Sequence, residues 1–231
     1  MRKSIVYLIV IVTIALSLGS CSSYTRMSQY PKMYDEHPVT LLVMPPINNT
    51  TNIEAKDLLY TSVSKPLAEA GYYVISPILA LDVLKNESAY DAELFFDGSV
   101  KKFGQVFGAD AVVFSVIETW AKQGFGITTK LHYIIKSTHT DEILFDRTCD
   151  LYLDLSSHTY SNSNNKKNAM LNTLVDVAVS AMNTALTEHI EAARKANVYV
   201  FSDIPRGKYH PEYGKDAEES ARERNISVTV K

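Results

Sequence analysis

The chain has 231 residues, 46% of them hydrophobic and 21% charged, with a formal net charge of −3. That composition is globular and long enough for one sizeable domain with additions. Lysines and arginines are scattered along it, so it lacks the basic footprint that nucleic-acid binding requires.

Arg2 and Lys3 open the chain, and an almost uninterrupted apolar run follows from Ile5 to Leu18. The run matches the roughly 7–15 residues of a signal-peptide core and falls short of the ~20 residues that span a bilayer. Leu18-Gly19-Ser20-Cys21 follows, an aliphatic residue and two small ones before a cysteine. This spacing resembles the bacterial lipobox, in which the cysteine thiol carries a diacylglycerol and the chain is cut just before it. Cys21 is therefore expected to be a lipid anchor on a membrane. Removing residues 1–20 takes away two positive charges and no negative ones, which moves the net charge from −3 to −5. With Cys21 lipidated, Cys149 has no partner for a disulfide or a cysteine-based zinc site, and it reads as a small buried apolar residue.

Residues 22–37 are polar and tyrosine-rich, and read as a tether that then lies along the domain. VTLLVMPP (39–46) is a short buried strand stopped by two prolines. Thr51 and Glu54 have capping-box spacing, and Ala55, Leu58, Leu59, Val63, Leu67 and Ala70 recur at helical spacing. Pro66 falls inside that helix and should kink it or split off a last turn, with Gly71 as its stop. YYVIS (72–76) is a second strand, and Pro77 begins a short helix. A further helix over about 99–107 ends at Gly108.

ADAVVFSVIETW (109–120) is a long strand, apolar on both faces at first and polar later. Gly124-Phe125-Gly126 turns it into 127–137, where Ile127, Leu131, Tyr133 and Ile135 alternate with Thr128, Lys130, His132 and Lys136. Thr140-Asp141-Glu142 turns again into 143–155, with Ile143, Phe145, Cys149, Leu151, Leu153 and Leu155 on one side and Asp146, Thr148, Asp150 and Asp154 on the other. This is a meander with one buried and one wetter face. After a polar loop, Leu171, Leu174, Val175, Ala178, Met182, Ala185, Leu186 and His189 share one helix face. The expected fold class is α+β: a mixed sheet of about five strands with a C-terminal antiparallel meander, covered by amphipathic helices. The expected organisation is a lipoprotein signal peptide (1–20), a lipidated tether (21–37), a globular domain (38–195) and a tail without core-forming period (196–231).

GADAVVFSVIETW, the meander turning before ILFD, IPRGKYHPEYGKD and the opening YPKMYDEHPVTLLVMPPINNTTN carry a family resemblance. Together they are similar to bacterial lipoproteins of unknown function typified by a neisserial vaccine-candidate lipoprotein. The resemblance spans nearly all of the mature chain. It implies a fold like the amino-terminal domain of TolB, shared with LpoB and the periplasmic part of CsgG. It brings no catalytic residues, and fold alone does not carry function. The family turn before the last meander strand usually holds a glycine, where this chain has Asp141-Glu142.

No nucleophile elbow, phosphate loop, HExxH or dinucleotide fingerprint occurs. His132 and His139 are seven apart in extended chain and so face opposite sides. Asp146, Asp150 and Asp154 share a strand face, roughly 13 Å between neighbours, which is too far for a carboxylate pair. No cofactor, metal or catalytic residue is expected. Tyr209, His210, Pro211 and Tyr213 in the tail either pack back on the domain or meet a partner, since tyrosine suits both roles. The leading reading is a non-enzymatic lipoprotein on the outer membrane facing the periplasm, because Ser22 replaces the aspartate that favours inner-membrane retention. It would dock onto an envelope protein or assembly, with self-association through edge strands left open. The alternative is an envelope module for a small glycan or lipid, with a pocket lined by Trp120 and tyrosines.

Overall fold

The computed structural model describes residues 24–156 and 172–231, with side chains of the long helix described from residue 186. Residues 1–23, including the signal segment and Cys21, lie outside the described residues, as does most of the loop before the long helix. Two short helices come first, α1 (Arg26–Gln29) and α2 (Pro31–Glu36), then β1 (Thr40–Val43) and β2 (Ile47–Asn48). Next are α3 (Glu54–Ser62), α4 (Ser64–Glu69), β3 (Tyr73–Val74), α5 (Pro77–Asn86), α6 (Glu93–Phe96) and α7 (Lys101–Phe107). The meander is β4 (Ala111–Gln123), β5 (Gly126–Ser137) and β6 (Ile143–Asp154), followed by α8 (Asn172–Val200) and β7 (Asn225–Val230). The fold is α+β.

The sheet runs β3-β1-β4-β5-β6-β7, with β2 continuing the edge of β4 beyond β1. Pairing is parallel at β3/β1, β1/β4, β2/β4 and β6/β7, and antiparallel within the meander. Seven described strands replace the expected five. β2 arises because the chain resumes pairing with β4 after Pro45-Pro46. β7 pairs Ile226, Val228 and Val230 beside Cys149, Leu151 and Leu153.

Helices cover both faces where strands are apolar on both. Over β1 and β4, Leu41, Val43, Val113 and Ile117 pack with α3, α4 and α8, while Leu42, Met44, Val112 and Phe114 pack with α5, α6 and α7. A strand buried on two sides needs apolar residues at every position, which the runs in 41–44 and 111–114 supply. On the meander half only the first face is covered. The second carries Thr128, Lys130, His132, Thr148, Asp150 and Tyr152, all partly or fully exposed. Ile134 and Lys136 are buried on that face, and Lys136 Nζ donates to the carbonyls of Gly98 (2.7 Å) and Phe96 (3.2 Å).

Local breaks follow the residues. The helix divides at Val63, three residues before Pro66, into α3 and α4. At its start Asn52 Oδ1 accepts the Ala55 N–H at 3.0 Å, one position from the Thr51–Glu54 box that spacing suggested. Gly108 takes φ +65° as the cap of α7. Asp141 takes φ +64°, the left-handed region that favours glycine. Its carboxylate holds this turn by accepting the Val100 N–H (2.8 Å) and the Ser99 hydroxyl (2.9 Å). Asp141 therefore makes this turn without a glycine and adds a tie to the start of α7.

The boundaries expected at 37 and 195 are not breaks in the fold. Within 21–37, Tyr30 and Met33 enter the core. Within 196–231, Ala196, Val200, Phe201, Ile204 and Val230 do so as well. Leu186, assigned to the apolar face of α8, is exposed; the described core contacts come from Ala192, Ala193, Ala196 and Val200.

Both ends are held by one buried ion pair. Arg147, fully buried on the core face of β6, donates from Nη2 to Asp203 Oδ2 at 2.9 Å, from Nη1 to Asp203 Oδ1 and the Val200 carbonyl (2.7 Å), and from Nη2 to the Tyr30 hydroxyl. Asp203 also accepts the Arg222 N–H at 2.6 Å. Around this group Tyr30 stacks on Phe145 at 5.0 Å, and Phe201 packs on Tyr133 at 5.2 Å. Burial pushes the Asp203 carboxyl up, but the Arg147 guanidinium and the Arg222 N–H outweigh it, and the group ends below the ordinary carboxylate range. A depressed carboxyl contributes stability that is present above its unfolded pKa near ~3.9 and is lost as pH falls through the folded value.

Arg147→Met leaves Asp203 buried without its cation and is expected to cost about 3–5 kcal/mol, measured by urea unfolding at neutral pH. Arg147→Met with Asp203→Asn should recover part of that loss. The wild type's excess over the double variant should shrink as pH is lowered below ~4.

Candidate functional site

The sequence directs attention to the loop after α8, because tyrosines and prolines cluster there outside any helix or strand pattern. The loop is built on a close backbone crossing. Gly71, at φ +94°, ends the turn after α4, and Gly207 lies against it. A Cβ on Gly207 would meet the Gly71 carbonyl oxygen at 2.4 Å. Two backbone bonds zip the crossing: Gly207 N–H to Ala70 O (2.8 Å) and Tyr209 N–H to Gly71 O (2.9 Å). The Tyr72 hydroxyl, buried, donates to the Pro205 carbonyl at 2.5 Å.

A second buried carboxylate then fastens the loop to the N-terminal helices. Asp216 Oδ2 accepts from Arg26 Nη1 at 2.9 Å and from the Arg206 backbone N–H at 2.8 Å. Arg26 also donates to the Ile204 carbonyl, and Arg206 reaches Glu219 with both oxygens at 3.0 Å. His210 Nδ1 accepts the Glu212 N–H at 3.1 Å, which closes the turn around Pro211.

The four residues singled out in this segment therefore divide. His210 is a structural member, half-buried, with its backbone against Gly71. Tyr209 is 64% exposed, Tyr213 is 39% exposed, and Pro211 is exposed. The Tyr213 ring meets the His37 ring edge-on at 5.9 Å. Val39, two residues on from His37, accepts the Tyr73 N–H at 2.9 Å. Tyr209 and Tyr213 thus flank the entry to β3, the last strand on this side of the sheet, where Tyr73 is also exposed.

A cleft of about 230 Å³ lies between α4, the end of α8 and this loop, lined by Arg26, Glu69, Phe201, Arg206 and His210 among others. Trp120 is not part of it. Trp120 is buried in the core, and its Nε1–H donates to His189 Nδ1 at 2.8 Å. His132 and Asp146 pair across β5 and β6 at 2.9 Å, with Arg224 on the second Asp146 oxygen. His139 instead lies 3.5 Å from Asp110. Among the described residues no group of three His, Cys, Asp or Glu could hold a metal ion. Cys149 is buried in the first core cluster, and burial pushes its thiol up to about 11.

The β7 strand and the helices α1 and α2 were missed as parts of this assembly. Ile226, Val228 and Val230 alternate with polar residues, a strand period present in the sequence. No such period marks 26–36, whose place is set by Arg26 and Tyr30 finding buried partners.

The architecture defines an α+β domain whose first and last described segments are clasped to it by buried ion pairs. Residues 28–207 match the family model "Putative lipoprotein GNA1162-like", and the chain belongs to this lipoprotein family. It is 24% identical over 186 residues to "Putative lipoprotein NMB1124/NMB1162" of Neisseria meningitidis serogroup B, covering 80% of this chain and 84% of that protein. Among solved structures it is similar to lipoprotein GNA1162 from Neisseria meningitidis, at 23% identity over 64% of this chain and 99% of that one, with a TM-score of 0.46. It is also similar to the LpoB C-terminal domain from Salmonella enterica, at 14% identity over 54% and 96% of the two chains, with a TM-score of 0.32. The family match ends at Gly207, so Tyr209, Pro211 and Tyr213 lie just beyond it.

Gly207→Ala forces backbone apart at the crossing and should cost about 1–3 kcal/mol, read by urea unfolding, with the exposed Lys208→Ala as a neutral control. Cys149 should stay unreacted with a thiol reagent in the folded protein and react fully in denaturant, because a buried, proton-bearing thiol is a poor nucleophile.

Proposed function

We propose that this lipoprotein is held on the bacterial outer membrane by lipid on Cys21, faces the periplasm, and serves as a non-enzymatic docking component of a cell-envelope assembly. The observation that carries this reading is the loop after α8. Tyr209, Pro211 and Tyr213 stand out from a scaffold made rigid by the glycine crossing and the Asp216 ion pairs. Rigid aromatic side chains on a fixed loop bind a protein partner at low entropic cost. They also sit beside the open edge of β3, where a partner strand could add. Strand addition at β3 or β7 is likewise the route by which a second copy would associate.

The alternative, a module for a small glycan or lipid, asks for a pocket of roughly 300–1,000 Å³. The cleft beside the loop, at about 230 Å³, is smaller and is lined by charged groups already paired with one another. The docking reading is therefore preferred.

A photo-crosslinking amino acid at Tyr209, used in cells and followed by mass spectrometry, tests it. One defined envelope protein should be captured, and the capture should disappear with Cys21→Ala and weaken with Tyr213→Ser. Background labelling alone, from a folded and lipidated protein, would sink the docking role.

A further inference from the structure

The chain is fixed to the domain almost as soon as it leaves Cys21. Thr25 forms an antiparallel bridge with Ser220, and the Ala221 N–H donates to the Tyr24 carbonyl at 2.7 Å. Arg26 N–H donates to Glu219 O (2.9 Å) and Met27 N–H to Ala217 O (3.0 Å). The Arg26 side chain is buried and ion-paired with Asp216 and Glu219, both at 2.9 Å. Only Ser22 and Ser23 separate Cys21 from Tyr24. Three residue steps of fully extended chain reach at most about 11 Å. The headgroup layer on one side of a bilayer is itself about 5–8 Å deep.

From this we infer that the domain lies directly on the bilayer, with the face formed by α1 and residues 217–221 turned to the lipid headgroups. The inference rests on the Cys21 anchor of the proposed function. Tyr24 and Met27, beside and on that face, suit the place, and its Glu219 is neutralised by Arg26 and Arg206. Tyr24 and Met27 are 43% and 41% exposed. Tyrosine is a residue of the membrane–water interface, and methionine adapts to irregular apolar contact. Neither has a core role, whereas Tyr30 and Met33 in the next turns are buried.

The geometry also sets which way the molecule faces. α1 and α2 belong to the helices on the first face of the sheet, which hold Tyr30 and Met33, and α5 packs on the opposite face through Ala80 and Leu84. α5 is then held away from the lipid. A protein lying on its membrane cannot reach across the periplasm on a long arm. The partner of the Tyr209 and Tyr213 loop must come to the membrane surface, or be embedded in that membrane.

The test uses the full-length lipoprotein, extracted and reconstituted in vesicles of phosphatidylethanolamine and phosphatidylglycerol, part of whose acyl chains are brominated. A fluorescent label is placed at Met27→Cys or, as comparison, at Leu79→Cys on α5. A third protein carries Met27→Cys and a 20-residue Gly/Ser insertion between Ser23 and Tyr24, which extends the reach by about 25 Å. Intact mass reports lipid on Cys21 in each preparation. The expected result is lipid on all three, several-fold quenching at position 27, little at position 79, and loss of quenching at 27 with the insertion. Lipidated protein with equal quenching at 27 and 79 overturns the close apposition and leaves the anchor standing. Protein without lipid on Cys21 overturns the anchor, and this inference with it.

Discussion

A guanidinium inside the core is costly unless it is ion-paired and its N–H groups find acceptors. Both terminal nitrogens of Arg147 do so, with Asp203, the Val200 carbonyl and the Tyr30 hydroxyl, while its Nε is buried without a partner among the described residues. Those partners come from two distant parts of the chain: Tyr30 between the N-terminal helices, and the end of α8 with the turn that follows it. Removing either charge leaves the other buried and unpaired, so the pair ties the segment after α8, and through the Tyr30 hydroxyl the N-terminal helices, to the middle of the meander. Asp203 extends the coupling by accepting the Arg222 N–H, which feeds the chain into β7.

Asp216, itself fully buried, repeats the device, joining Arg26 to the loop at Arg206. Between the two ion pairs the segment from Phe201 to Asp216 has little freedom, and the contact of Gly71 with Gly207 removes more. The rigidity is what gives Tyr209 and Tyr213 a defined place beside β3. The same two clamps bring the first described residues against residues 217–221. The first described residues and the tyrosine-bearing loop are thus fixed relative to each other by one set of buried charges.

Much of this was readable in the residues. The meander showed itself in the alternation of 127–137 and 143–155, and the doubly covered strands in the apolar runs of 41–44 and 111–114. Pro66, Gly71 and Gly108 marked real breaks. β7 was legible too, since Ile226, Val228 and Val230 alternate, but a six-residue strand at the end of a polar stretch carries a weak local signal. The N-terminal helices were not legible. Four- and six-residue helices have no stability of their own, and they exist because Tyr30, Met33 and Arg26 are buried against other elements.

By itself the sequence determined the α+β class, the order of the strands in the meander, the buried state of Cys149 and the lipobox spacing at Cys21. Each of these depends on local pattern: period, turn residues and neighbouring side chains. Only the tertiary structure decided that 24–37 and 196–231 belong to the domain, that His210 is structural while Tyr209 and Tyr213 face outward, and that Trp120 is core. The physical reason is the same in each case. These outcomes rest on contacts between residues far apart in the chain, such as Tyr30 and Arg26 with Asp203 and Asp216, and no local period encodes which distant carboxylate a buried cation will find.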